Sequence, residues 1–212
     1  MNDTFIQYLF FIIAGYLSGS VMYASLLPKV IRQIDIRELS EDGNPGTANA
    51  FIHAGIPIGI LVIICELLKG ALPVWFALRK VDISNLLFAL VLAAPVLGHA
   101  FPVFWKGQNG GKAIAVSFGV LLGLYPDLTP AFTLAALYIL FSLIIIIKPH
   151  FFRSVITFLL FTVCCLFDKT LPSAVTAGCF ILSITVIGKH FSRYHGEHIA
   201  FRLPWGKPLK NR

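Results

Sequence analysis

The sequence predicts an all-α, polytopic membrane protein of about seven transmembrane helices joined by glycine-rich cytoplasmic loops, built as a single domain over residues 1–212. Three observations predict it. Hydrophobic residues make up 57% and charged residues 13% of the chain, with a mean hydropathy of +0.82, outside the range of water-soluble domains. Uncharged apolar runs recur, the first of them 25 residues long, enough to cross a hydrocarbon layer of about 30 Å. Lysine and arginine gather in the segments between those runs, as topology requires of membrane proteins. The net charge of +7 is therefore read as a response to membrane topology and to anionic lipid or substrate headgroups, and nucleic acid is excluded as a partner.

The first run, Thr4 to Pro28, reads as a retained span because no small-residue cleavage site follows it. Gly15, Gly19 and Ser20 fall on one helical face and predict close packing of a neighbour. Phe51 to Leu78 is apolar except for Glu66 and Lys69, which share a face. That pair is either an internal ion pair or a functional one, with Lys69 a candidate phosphate ligand. Pro57 and Pro73 predict a broken helix there. Ser84 to Trp105 carries His99 near its end, read as a hydrogen-bonded structural histidine. Ala113 to Pro126 and Leu128 to Ile147 follow, then a short basic turn, Lys148 to Arg153, and two more spans, Ser154 to Phe167 and Leu171 to Gly188. The 14-residue run from Ser154 is short for a crossing. Cys65, Cys164, Cys165 and Cys179 lie in apolar runs and show neither a disulfide framework nor a metal-ligand spacing.

Orientation follows from the basic residues. None precedes Lys29, the first loop has Lys29, Arg32 and Arg37, and the C-terminal tail, residues 189–212, has six against the single acid Glu197. An outside N-terminus and a cytoplasmic tail require an odd number of crossings. Seven crossings put Asp35–Asn49, Lys106–Lys112, Lys148–Arg153 and the tail together on the cytoplasmic side, and leave Arg79 and Lys80 outside.

Two of those loops have the make-up of anion sites. In Asp35–Asn49, Gly43 and Gly46 leave backbone N–H groups accessible and Pro45 holds the peptide out of a helix that begins near Thr47 or Asn49. The plainer reading of Gly43-Asn-Pro-Gly is a turn between helices. In Lys106–Lys112, Gly110 and Gly111 allow close backbone approach and Lys112 supplies a cation at the start of the next helix. The order is not that of a Walker loop, since Ala113 follows the lysine. Neither a Ser–His–Asp set nor a His-x-x-x-x-Asp acyltransferase signature is present. Two phosphate-holding loops on one face suit acyl transfer from an activated donor, in which N–H groups and lysines bind the leaving phosphate and the developing oxyanion.

With these residues in view, the chain resembles the bacterial acyl-phosphate:glycerol-3-phosphate acyltransferases, the PlsY family. The resemblance rests on Tyr16-Leu-Ser-Gly-Ser-Val, Asp35-Ile-Arg-Glu, Gly43-Asn-Pro-Gly-Thr-Ala-Asn, Glu66-Leu-Leu-Lys-Gly-Ala-Leu-Pro, Gly98-His-Ala-Phe-Pro-Val-Phe, Gly110-Gly-Lys-Ala-Ile-Ala, Ser154-Val-Ile-Thr and a basic tail from His190. It implies a seven-helix enzyme of the bacterial plasma membrane, a monomer without metal or organic cofactor. The implied reaction moves a fatty acyl group from acyl phosphate to the 1-hydroxyl of glycerol 3-phosphate, yielding lysophosphatidic acid. A substrate phosphate is implied to assist removal of the hydroxyl proton. By position, Lys112 and Ser154 look like phosphate-holding residues, His190 like the C-terminal active-site histidine, and Gly43, Asn44, Gly46, Thr47 and Asn49 like the first substrate loop, with Gly110 and Gly111 beside Lys112.

The chain departs from the family pattern at four places. Asp42 stands where a serine is usual, Ala48 where a threonine is, Ile52 where an arginine is, and Arg193 where an asparagine is. These changes keep other functions in play: a catalytically silent relative that binds lipid phosphates, or transfer to another acceptor. A transporter of phosphorylated solutes is a further alternative, set against the missing inverted repeat and the one-sided cations.

Overall fold

A computed structural model describes residues 3–40, 43–105, 110–194 and 196–203 of the chain. Asp42, Lys106 and the tail from residue 204, on which some of the expectations fall, lie outside the described residues. The backbone runs through α1 (Asp3–Ser20), α2 (Tyr23–Arg32), α3 (Ile36–Leu39), α4 (Thr47–Ala54), α5 (Ile56–Ala77), α6 (Phe88–Ala100), α7 (Ile114–Leu122) and α8 (Thr129–Ile139). A π-helical turn, Leu140–Ile144, prolongs α8 and leads into β1 (Ile146–Lys148), then α9 (His150–Phe167), α10 (Ser173–Phe191) and β2 (Ala200–Arg202). The fold class is the expected one. By length and composition α5, α9 and α10 are able to cross a membrane, and α1 with α2 makes a fourth crossing if the bent pair is one span.

Helix α6 is the centre of the bundle. Eleven of its thirteen residues are buried, as an all-round apolar helix of that length demands, and α1 and α10 pack on it. The small face predicted on α1 meets it: a Cβ on Gly15 would lie 3.3 Å from Ala94 and Pro95, and one on Gly19 would collide with the Pro95 carbonyl. The pair is tied further where the Tyr16 hydroxyl donates to the Phe101 carbonyl at 2.6 Å. Phe10, Ile60, Leu159 and other large apolar side chains on α1, α5 and α9 face outward, the arrangement of a surface solvated by lipid.

Several boundaries differ from expectation, each for a local reason. The first span is broken at Val21–Met22 with a bend of 43°, and Pro28 sits inside α2, which continues to Arg32. In the second span the break falls at Gly55, whose φ of +86° suits glycine, and not at a proline. Pro57 occupies the first turn of α5, where its missing N–H is harmless, and α5 carries Pro73 without ending. Residues 148–153 are not a basic turn: α9 starts at His150 and reaches 18 residues, which removes the length deficit of the run from Ser154. Helix α7 stops at Leu122, short of Pro126. At the C-terminal end α10 includes Lys189 and His190, so the segment read as tail begins on a helix. Further on, Ala200–Arg202 pairs antiparallel with Ile146–Lys148, Ile147 facing Phe201. Three-residue strands are too short to leave a period in the sequence.

Candidate active site

Glu66 and Lys69, one turn apart on α5, hold the kink between α1 and α2. The Lys69 ammonium donates to the Val21 carbonyl at 2.6 Å, and the Ala24 N–H donates to Glu66 Oε1 at 3.4 Å. A cation thus sits at the C-terminal end of α1 and a carboxylate at the N-terminal end of α2, the signs that the peptide dipoles favour. The two charges pair at 2.8 Å, both side chains 1% exposed. His99 from α6 completes the cluster, its Nδ1 2.8 Å from Lys69 Nζ and 3.1 Å from Glu66 Oε2. Lys69 is therefore spent inside the bundle and does not line the cavity beside it, contrary to its candidacy as a direct phosphate ligand.

That cavity, about 850 Å³, is lined by residues between Leu39 and His53, between His99 and Phe118, from Pro149 to Phe151, and by His190, Arg193 and Glu197. These are the polar connections of alternate helices, so they gather at one end of the bundle. Three helices begin on its wall: α4 after Gly46, α7 after Ala113 and α9 after Pro149, none with a side-chain cap. Their N–H ends, with Lys112 and Arg193, give the wall the character of an anion site. Ala113 enters α7 from a left-handed conformation, φ +62°, which turns the chain sharply after Lys112. The first loop is braced from within, the Asn44 carbonyl accepting from the Gly46 N–H and from Asn49 Nδ2, both at 2.8 Å.

The structure brings Asn44, Gly46, Thr47, Asn49, Lys112 and His190 to this one cavity. Others stand behind it. Ser154 is fully buried, its hydroxyl 3.4 Å from His150 Nδ1, and the His150 ring stacks on His190 at 5.6 Å. Gly43 turns the loop at φ +59°, its N–H on the Ser40 carbonyl. The Gly110 carbonyl accepts from the Arg193 guanidinium at 3.0 Å, and the Gly111 N–H donates to the His99 carbonyl at 3.2 Å. Sequence reasoning did not assign His99, His150 or Glu197 to the site. His150 was hidden by reading it as a turn residue, and His99 by its apolar neighbours. The His190 ring is fixed by an Nδ1 contact of 2.8 Å to the Val186 carbonyl. A carbonyl only accepts, so Nδ1 carries the proton and Nε2 is the basic nitrogen of the neutral ring. Outside the spans, burial pushes the Arg37 guanidinium below its ordinary pKa, Asp35 opposing this and Arg193 adding to it.

A helical membrane frame whose alternate loops close a cationic cavity, ringed by three helix N-termini, defines an integral membrane protein with the makings of an anion site. The chain belongs to the glycerol-3-phosphate acyltransferase family, whose model matches residues 9–196. A glycerol-3-phosphate acyltransferase of Shewanella halifaxensis is 32% identical over 179 residues, covering 84% of this chain and 85% of that one. One of Myxococcus xanthus is 39% identical over 116 residues, 55% of this chain and 59% of the relative. The chain spans less than two thirds of the length of this and other curated relatives that it matches, 56% for that of Serratia proteamaculans. Crystal structures of the integral membrane glycerol 3-phosphate acyltransferase PlsY (YgiH) share the fold. Its glycerol 3-phosphate form superposes with a TM-score of 0.74 at 26% identity, covering 87% of this chain and 88% of that one. Its lysophosphatidic acid form gives 0.72 at 25% identity over the same shares.

Proposed function

We propose that this protein transfers a fatty acyl group from acyl phosphate to the 1-hydroxyl of glycerol 3-phosphate, releasing lysophosphatidic acid and inorganic phosphate. The observation that carries this reading is the convergence of Lys112, His190, Asn44, Thr47 and Asn49 on one cavity of about 850 Å³ in an apolar helical frame. The hydroxyl oxygen attacks the acyl carbonyl carbon, the carbonyl carbon–phosphate oxygen bond breaks, and the hydroxyl proton leaves with the phosphate. Lys112 and the N–H ends of α4, α7 and α9 supply the positive potential that holds both phosphates and stabilises the charge building on the departing one. His190, with Nε2 as its basic nitrogen, accepts a hydrogen bond from the hydroxyl and orients it. Ser154 acts through His150, which it touches, and Lys69 through His99.

The family departures do not empty this cavity of charge. Ile52 lies on its wall in place of the usual arginine, and Arg193 brings a guanidinium to the same cavity from the end of α10. This supports an active enzyme over a silent relative. The reading extends to seven crossings, an outside N-terminus and an active-site face in the cytoplasm of a bacterial cell, with the monomer as the working unit.

The test is an assay of purified, detergent-solubilised protein with acyl phosphate and glycerol 3-phosphate. Wild-type protein forms lysophosphatidic acid, and Lys112→Ala and His190→Ala lower kcat/KM by about 100-fold or more. Well-folded wild-type protein that forms no product would overturn the reading.

A further inference from the structure

The Lys69 ammonium donates to the Val21 carbonyl at 2.6 Å, lies 2.8 Å from His99 Nδ1, and pairs in charge with Glu66 Oε2 at 2.8 Å, an oxygen that has no hydrogen-bond partner among the described residues. Nδ1 therefore has a donor, the Lys69 ammonium, and a carboxylate oxygen, Glu66 Oε2 at 3.1 Å, beside it; in the tautomer that accepts from Lys69 the imidazole is neutral and its proton sits on Nε2. This is the opposite tautomer to that of His190, whose Nδ1 holds the proton. Nε2 points away from the cluster. It packs on Gly111 so closely that a Cβ there would strike it, and the ring is part of the cavity wall. His99 is only 5% exposed, yet among the described residues Nε2 has no hydrogen-bond partner. An Nε2–H left without an acceptor at the edge of a cavity that Lys112 and three helix N-termini make cationic is a preorganised contact for an oxygen.

We propose that the His99 Nε2–H is a further substrate contact, donating to a non-bridging oxygen of a substrate phosphoryl group, with Lys69 and Glu66 as positioning residues that hold the ring in its donor tautomer. The proposal rests on the acyl-transfer reading for the identity of the substrate. Its geometry stands apart from that reading. No bond to His99 is made or broken. The ring lends a neutral donor, and the charge of Lys69 reaches the cavity through it without the ammonium leaving the bundle. Gly111 is required because any side chain would occupy the space through which Nε2 approaches the cavity.

Two measurements on the full-length protein test this. The first needs no turnover. Nitrogen-15 NMR of labelled histidine in detergent micelles reports the tautomer of each ring. His99 is expected as the Nε2–H form, its Nε2 resonance moving on addition of inorganic phosphate. In Lys69→Met the proton moves to Nδ1, facing Glu66, and the response to phosphate is lost. A wild-type Nδ1–H tautomer, or an Nε2 resonance indifferent to both phosphate and glycerol 3-phosphate at saturation, would overturn the proposal.

The second is kinetic. Asn at 99 places an acceptor near the Nδ1 position and lacks a group at Nε2, whereas Gln reaches the Nε2 position with an amide N–H. His99→Asn is expected to lose about 10- to 100-fold in kcat/KM, and His99→Gln to regain part of it. Separate KM values for acyl phosphate and glycerol 3-phosphate show which phosphate the donor serves. Wild-type kcat/KM for both substrates in a folded His99→Asn protein also refutes it. A wild-type protein with no acyl transfer at all defeats the acyltransferase reading alone, since the phosphate-dependent shift is then still decided by NMR.

Discussion

At the scale of single residues, the Glu66–Lys69 pair shows why two charges persist in a 22-residue apolar helix. Buried pairs gain little over apolar packing when they only neutralise each other. This pair also satisfies a carbonyl and an N–H exposed by the kink at Val21–Met22, and both of its members touch His99 Nδ1. Lys69→Met is expected to destabilise the protein by about 3–5 kcal/mol, because it leaves a buried carboxylate without its cation. The double change Glu66→Leu with Lys69→Leu recovers only part of that, since the Val21 carbonyl and the Ala24 N–H remain without partners. Thermal unfolding in detergent measures both. Full recovery in the double variant would mean that the pair does no more than cancel its own charges.

At the scale of helices, approach distance governs the bundle. A Cβ on Gly119 of α7 would run into the Leu67 carbonyl of α5, so Gly119→Leu forces the two helices apart at the base of the cavity. We expect that variant to lose folded protein, as judged by size-exclusion profile and melting temperature. Gly188 on α10 is the contrasting case, because a methyl group added there would meet no atom within 4 Å. There Gly188→Ala stabilises by about 0.5–1 kcal/mol through helix propensity, and the same melting experiment registers the opposite sign. The sequence made the helical class and the α1 small face legible, because hydropathy and residue size act locally. It left the kink at Val21–Met22 hidden, since its cause lies on α5, and it could not place the break at Gly55 ahead of two prolines. The site was legible to the same extent. Asn44 and Lys112 lie in loops whose composition advertises an anion site, and Thr47 opens the helix that follows the first of them. His99 and His150 depend on which helix ends meet, which no single segment records.

At the scale of the whole molecule, alternate connections share one face, and the strand pair of Ile146–Lys148 with Ala200–Arg202 brings the chain after α10 back to that face. The proposed topology makes this face cytoplasmic. A cysteine at Ala200, in a variant freed of Cys65, Cys164, Cys165 and Cys179, is expected to resist an impermeant thiol reagent in intact cells and to react once the cytoplasmic side is opened. Labelling in intact cells would invert the topology.

The position of Glu66 and Lys69 on one helix bears also on how the chain enters the bilayer. Inserted singly, each charge at mid-membrane costs about 2.5–3.5 kcal/mol on the insertion scale. Three residues apart, they reach each other within α5 alone, before any other segment is present. The helix can therefore be handed to lipid as a neutral rod, and its partners on α1, α2 and α6 need only arrive afterwards to turn that local pair into a joint between four helices.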